Sequence, residues 1–516
     1  MIPTIFTALL FSLMAYAIPV SAADNPAPKT MVEIQGLVSQ YCGVCHDVPR
    51  PSLMPKHSWP YAIQRMAEVA EQRMGKPFIP AAALRDITAF YYGTAEESLA
   101  RLPVFPNDTG PLSFVSEAIG EPTKMPLISH IEAVDLVDGS LQEFLISDVE
   151  HNRVVLLTKS KKGWQERVLG TVVKPVRTTV ADYDGDGLTD VLVASLGKFF
   201  PPVDIEVGKV ILLRQTKSGV FEPHILMDKI PRVLDVQAVD IDGDKDLDIA
   251  LAIFGNDNVG ELAWLENKGG YEVHKHTILN LAGGLNMSPA DLNGDGRIDF
   301  VSVISQENEM IVALMNRGKG AFDQHVLFRA SDPMIGSTGM TLVDIDKDYD
   351  LDILFTNGDA HDLQTDPKPY HGVGWLENVG PYQYVFHNVG RFYGASHAAV
   401  ADMDGDGDND IVASSWNNYW EEPDRQTLIW FENNGEQVFS RHNIASRPHN
   451  IVSFELVDVV GDSRPDIVAG LFKIELLKKY WSTKVDDEEK AVSMMTREQP
   501  KKRLVVFENQ LNKTPP

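Results

Sequence analysis

Residues 182–190 read DYDGDGLTD, and the pattern returns as DIDGDKDLD (240–248), DLNGDGRID (291–299), DIDKDYDLD (344–352) and DMDGDGDND (402–410). A weaker copy, DVVGDSRPD, stands at 458–466, and a degenerate one, DLVDGSLQE, at 135–143. Successive copies start 47, 58, 51, 53, 58 and 56 residues apart. A repeat of that length belongs to propellers or solenoids. Each strong copy leads into an apolar run: VLVAS, IALAIF, FVSVIS, ILFTN or IVASS. Such short β-branched runs are buried strands, so the acidic stretch joins two strands.

The spacing carries chemistry. Oxygen donors at positions 1, 3, 5 and 9, with a backbone carbonyl at position 7, suit one hard, flexibly coordinated cation, which is calcium chemistry. The candidate ligands are Asp182, Asp184, Asp186 and Asp190; Asp240, Asp242, Asp244 and Asp248; Asp291, Asn293, Asp295 and Asp299; Asp344, Asp346, Asp348 and Asp352; and Asp402, Asp404, Asp406 and Asp410. An EF-hand needs a Glu at position 12. Here that position is Val193, Leu251, Ser302, Phe355 or Ala413. The copy at 458 has Val460 at position 3, and the copy at 135 has Val137 and Gly139 at positions 3 and 5. Those two are expected to bind calcium weakly or not at all.

Each repeat continues alike. WLEN (264–267), WLEN (375–378) and WFEN (430–433) end a strand, and an aromatic-x-x-His motif comes next: FEPH (221–224), YEVH (271–274), FDQH (322–325), YVFH (384–387) and FSRH (439–442). Recurrence makes these five histidines framework residues. Four strands in each of seven repeats predict a mainly-β, seven-bladed propeller over 112–510. The last repeat has a third strand, RLVVFENQ (503–510), and no fourth, while PLSFVSEAIG (111–120) is a strand without a repeat. Pairing 112–119 with 503–509 completes the last blade and removes two exposed edges.

Composition sets the outer limits. The chain has 516 residues and 44% apolar content, which is normal for a folded protein. Its formal charge of −27 makes it a poor partner for nucleic acid or an anionic membrane. Residues 1–23, MIPTIFTALLFSLMAYAIPVSAA, read as a signal peptide, with small residues at a cleavage site and an apolar run short for a span. The n-region lacks Lys and Arg. The expectation is a periplasmic or secreted protein with no membrane span after cleavage.

The two cysteines of the chain lie in Cys42-Gly-Val-Cys45-His46. Two thiols three apart can add to the vinyl groups of a haem, with the next histidine as iron ligand. A thioredoxin-like dithiol needs a βαβ context, and a zinc site needs more strong ligands. Neither is present. MVEIQGLVSQY (31–41) has apolar residues at helical spacing and delivers the motif. Met74, before the helix-like AAALRDITAFYYG (81–93), is the expected sixth ligand, with Met66, His57 or an open site as alternatives. Met66 lies within a helical stretch, where core packing is the competing role. Residues 31–100 thus form a small all-α haem c domain resembling class I c-type cytochromes, and 101–111, with three prolines, is a linker.

The repeats resemble the FG-GAP/VCBS repeats of integrin-α-like propellers, over about 400 residues. That resemblance implies calcium in the acidic loops between the first and second strands of a blade. The segment YCGVCHDVPRPSLMPKHSWPYAIQRM resembles bacterial exported proteins that fuse a c-type haem to such repeats. That resemblance implies fold and cofactors; the expected function, read from the haem motif and the repeats together, is electron transfer to a redox partner, with a calcium-binding propeller as docking scaffold. One alternative is a periplasmic oxidoreductase whose propeller binds substrate. Another is an adhesion or glycan-binding module with a sensory haem. No Ser-His-Asp signature, flavin fingerprint or catalytic residue is identifiable. A glycan or peptide would meet the face opposite the acidic loops, where the insertions 198–208, 359–372, 416–425 and 473–502 lie. His130, Arg177, Arg232, Asn286, His397 and His449 enter the blades there, and Trp416, Asn417, Tyr419, Trp420 and Glu421 offer an aromatic-polar surface.

Overall fold

The computed structural model describes residues 29–511, apart from 138, 140–141, 199–204, 257–258, 361–365 and 474–500. The expected signal peptide, parts of the insertions 198–208 and 359–372, and nearly all of 473–502 lie outside the described residues.

Among the described residues three α-helices come first: α1 (Met31–Cys42), α2 (Trp59–Met74) and α3 (Ala81–Thr94). A capping box starts α1, with the Thr30 N–H donating to Glu33 at 2.7 Å and the Glu33 N–H to the Thr30 hydroxyl at 3.3 Å. Gly75, in the left-handed region at φ 67°, ends α2. The helices close on Val38, Leu53, Met54, Trp59, Ile63, Ile87 and Tyr91, with Trp59 stacked on Tyr91 at 4.1 Å. None of the helices among the described residues is long and apolar enough to cross a membrane.

The rest is a seven-bladed propeller of four-stranded antiparallel sheets. Blades one to six span 128–171, 175–230, 233–279, 288–329, 337–391 and 395–445. Blade seven combines Ile451–Val457, Asp466–Leu471 and Lys501–Leu511 with Leu112–Thr123 as its outermost strand. Leu112 pairs with Leu511 and Ile119 with Leu504. The second strands, such as Asp190–Ser195 and Asp410–Ser415, are buried along their whole length. Apolar clusters fill every gap between neighbouring sheets. Leu212 with Leu251 belongs to the gap between blades two and three, and Phe144 with Val506 to that between blades one and seven. Interdigitation of this kind supplies the main drive for folding.

Residues 101–111 do not hang free. The Leu102 N–H donates to the Tyr393 hydroxyl at 2.6 Å, Arg101 covers the Tyr419 ring, and Arg441 covers Phe105, each at 3.9 Å. The Asn443 N–H reaches the Asp108 carbonyl at 2.6 Å. Proline and aromatic side chains that would extend a free spacer here lie along blade six. The helical unit rests on the propeller through the Arg50–Asp332 and Arg73–Glu307 ion pairs and a 3.3 Å hydrogen bond from the Tyr370 hydroxyl to the Leu53 carbonyl. It covers the propeller face opposite the acidic loops.

Candidate functional site

The acidic loops connect the first and second strands of blades two to seven. Their ninth residue is buried in every case and makes the same two bonds. Asp410 accepts the Met403 N–H at 2.9 Å and the Asn433 N–H at 2.8 Å. Asp190, Asp248, Asp299, Asp352 and Asp466 repeat this, each pinning position 2 of its own loop and a third-strand N–H. In blade one Glu143 takes over, accepting the Leu136 and Val137 N–H groups at 2.8 Å. Burial pushes Asp410 up to about 7 and Asp190, Asp248 and Asp352 up to about 6.

Positions 1, 3 and 5 turn the loop on itself. Asp402 accepts Gly405 and Gly407, Asp404 accepts Asp406, and Asp406 accepts Asp408, all from backbone N–H groups. Position 6 lies in the left-handed region, at 98° for Gly407 and 75° for Tyr349. Carboxylate oxygens converge within 4.8 Å in four loops: Asp182, Asp184 and Asp190; Asp240, Asp242 and Asp248; Asp344, Asp346 and Asp348; Asp402, Asp404 and Asp410. Buried oxygens of Asp246, Asp346 and Asp350 have no hydrogen-bond donor. Converging acids with orphaned oxygens fit a bound divalent cation. In blade two Arg214 pairs with Asp184 and Asp186. In the loop at 291 Arg297 pairs with Asp295, and Asn293 replaces one charge.

The other site is a cavity of about 1430 Å³ between the helices and the propeller's central channel. Cys42, Cys45, His46, His57, Met66 and Arg73 line one wall. The Cys42 thiol is pushed up to about 11 by burial, the opposite of the lowered value a redox-active dithiol needs. Both cysteines are free thiols. His46 Nδ1 donates to the Asp47 carbonyl at 2.7 Å, which leaves Nε2 as the lone-pair nitrogen. Two unbridged thiols and a free Nε2 on one cavity wall fit a thioether-linked haem. Met74, the last residue of α2, is exposed and outside the cavity lining. Met66 is 37% exposed and faces the cavity rather than the core that its helical position suggested.

The propeller wall carries His130, Arg177, Arg232, Asn286 and His397, together with Ser453 and Glu455. Of the blade-entrance residues singled out in the sequence, His449 is elsewhere, stacked on Trp420 at 4.3 Å. Counting five residues back from the first position of each acidic loop gives His130, Arg177, Asp235, Asn286, Gly339, His397 and Ser453. This ring was available to sequence reasoning, because alternation along the innermost strand turns every second residue inward. Arg232 belongs to a different register, and Asp235 is the blade-three member. Burial, with Arg177 nearby, lowers His130 well below the usual histidine value and His397 to about 4. Burial raises Glu132 and Glu455 to about 7.

Two other sequence readings change. The framework histidine of blade three is His276. It stacks on Trp264 at 4.5 Å and bonds Glu266 at 2.9 Å, as His387 does with Trp375 and Glu377. It stands nine residues after Asn267, the spacing that also separates Asn316 from His325, Asn378 from His387 and Asn433 from His442, whereas His274 stands seven after it. The aromatic surface at 416–421 is largely spent on internal contacts: Trp416 donates to the Gly358 carbonyl at 3.2 Å, Asn417 is buried, and Tyr419 lies under Arg101.

A model of the FG-GAP-like repeat matches residues 182–251, 240–302, 291–355 and 402–469, so the chain carries FG-GAP-like repeats. No curated protein matches the chain. Among solved structures, a candidate 6-phosphogluconolactonase from Bacteroides uniformis ATCC 8492 is similar at 12% identity and a TM-score of 0.40, over 61% of this chain and 85% of that one.

Proposed function

We propose that this is an exported c-type cytochrome whose calcium-binding propeller serves as scaffold and recognition surface for a redox partner. The carrying observation is the placement of Cys42, Cys45 and His46 together on the wall of one large cavity. Cys42 and Cys45 would hold the group by thioether bonds, and His46 would present Nε2 to the iron. A bound haem would supply one-electron chemistry. Met66, which shares the cavity with His46, is the better candidate than Met74 for the second axial position, and His57 is the remaining one. The apolar residues Ile63 and Val69 of α2 and Ile79 of the segment before α3 line the same wall and would exclude water. Calcium is assigned to the loops at 182, 240, 291, 344 and 402, where it would neutralise the converging carboxylates.

The oxidoreductase alternative is favoured by one observation: the cavity is continuous from the CxxCH wall to the polar ring of the propeller channel. A pyridine haemochrome assay with a redox-titrated spectrum tests the first reading. A colourless protein from a host with haem-attachment machinery overturns it. Anaerobic reduction of the haem by an added small molecule alone would move the assignment to the enzyme.

A further inference from the structure

The cavity is larger than the roughly 300–1,000 Å³ of a single-ligand pocket, and its two walls differ in chemistry. The helical wall carries the thiols with His46, His57 and Arg73 among apolar residues. The propeller wall is polar, and its central feature is Arg177 on the innermost strand of blade two. Among the described residues the Arg177 guanidinium makes no hydrogen bond. Its nearest partner is Asp235 on the next blade, 3.7 Å away. Asp235 is already committed, because it accepts the Val236 and Met287 N–H groups at 3.0 and 2.8 Å and the Gln237 amide at 3.0 Å. A planar fork of five N–H donors therefore faces the cavity with its charge only loosely matched. His130 lies beside it on blade one, with a buried Nδ1 that has no partner, and His397 reaches the same space from blade six.

We propose that the propeller wall binds a small organic carboxylate, with its two oxygens on the Arg177 fork and the rest of the molecule against His130 and His397. A carboxylate matches the fork as a bidentate acceptor, and such charge-assisted pairs are the strong ones. The neutral imidazoles add hydrogen bonding without adding charge, and the ligand would share the guanidinium with Asp235, which keeps its own three donors. The site stands on the propeller's own residues. Its role as a substrate or effector site next to the haem rests on the reading above.

The test uses the full-length matured protein and isothermal calorimetry with acetate, lactate and succinate, with inorganic phosphate and glucose as controls. The expected result is saturable binding of at least one carboxylate, weakened about tenfold or more in both Arg177→Lys and Arg177→Gln. Arg177→Lys keeps the charge, so it separates loss of the fork from misfolding, and unliganded melts of each variant check the fold. No heat from any carboxylate at millimolar concentration, or equal affinity in the variants, overturns the site. Phosphate or glucose binding as tightly overturns the carboxylate assignment. The haemochrome is measured on the same sample. Carboxylate binding by a haem-free protein would retain this site while removing the cytochrome reading.

Discussion

Asp410 and Asp406 sit four residues apart in one loop and do different work. Asp410 is buried and satisfies two backbone N–H groups, whereas Asp406 is exposed and accepts one local turn bond. Asp410→Ala is therefore expected to cost about 2–4 kcal/mol in urea denaturation, with or without chelator, because it leaves two buried donors unpaired. Asp406→Ala should change stability by less than about 0.5 kcal/mol in chelator and lose most of that one loop's share of the calcium-dependent gain. Glu455 gives a pH-dependent prediction. Burial first, then the nearby Glu132, raises it to about 7, above its unfolded value. The folded state thus holds a proton that the unfolded state has released, so this contribution is full at acid pH and fades as pH rises towards 7. Glu455→Gln should flatten that slope, gaining about 1–2 kcal/mol over wild type between pH 5 and pH 8. Parallel stability curves for the two proteins would contradict it.

At the scale of strands and loops, the final blade is the informative one. Arg503, on its third strand, is fully buried and bridges Asp148 of blade one at 2.7 Å and Glu166 of the same blade. Arg503→Met should destabilise by about 2–4 kcal/mol, read from denaturant midpoints, since it removes a buried cation shared by two acids at a sheet-to-sheet seam, leaving Asp148 to Arg153 and His151 and Glu166 to the Glu121 N–H. Much of this level was legible in advance. The nine-residue motif, the β-branched runs after it and the orphan strands at each end were enough for blade count and closure, because strand alternation and edge pairing are local rules. The docked course of 101–111 was not, because prolines also favour a free spacer and only tertiary contacts decide. The place of His276, by contrast, was legible, since it keeps the nine-residue spacing after Asn267 that Asn316 and His325 share, and only the local YEVH match pointed to His274. The inward ring at His130, Arg177 and Asp235 needed only a consistent register across blades, whereas the opening of Cys42 onto the same cavity needed the packing of one unit on another.

For the whole molecule, charge and metal are linked. Six acidic loops hold 25 of the 73 acidic residues. Five bound divalent ions would reduce the formal charge from −27 to about −17. A site filled at about one hundred times its Kd contributes about 2.7 kcal/mol. Excess chelator should accordingly lower Tm by about 10 °C or more, with about five calcium ions per chain found by elemental analysis of the untreated protein. An unchanged melt in chelator, with no calcium detected, would rule the loops out as metal sites.

The route of the chain through blade seven imposes an order of assembly. That sheet joins residues 112–123 to residues 501–511, so the ring cannot shut until the far end of the polypeptide has been synthesised. During that interval the thiols at 42 and 45 are still open to the machinery that would load them. Once the wheel locks, the helices are seated over its hub and the chamber is roofed. Under the cytochrome reading, Cys45 stays exposed in the closed protein, so a chain stalled before residue 501 and the full chain would differ chiefly in access to the half-buried Cys42.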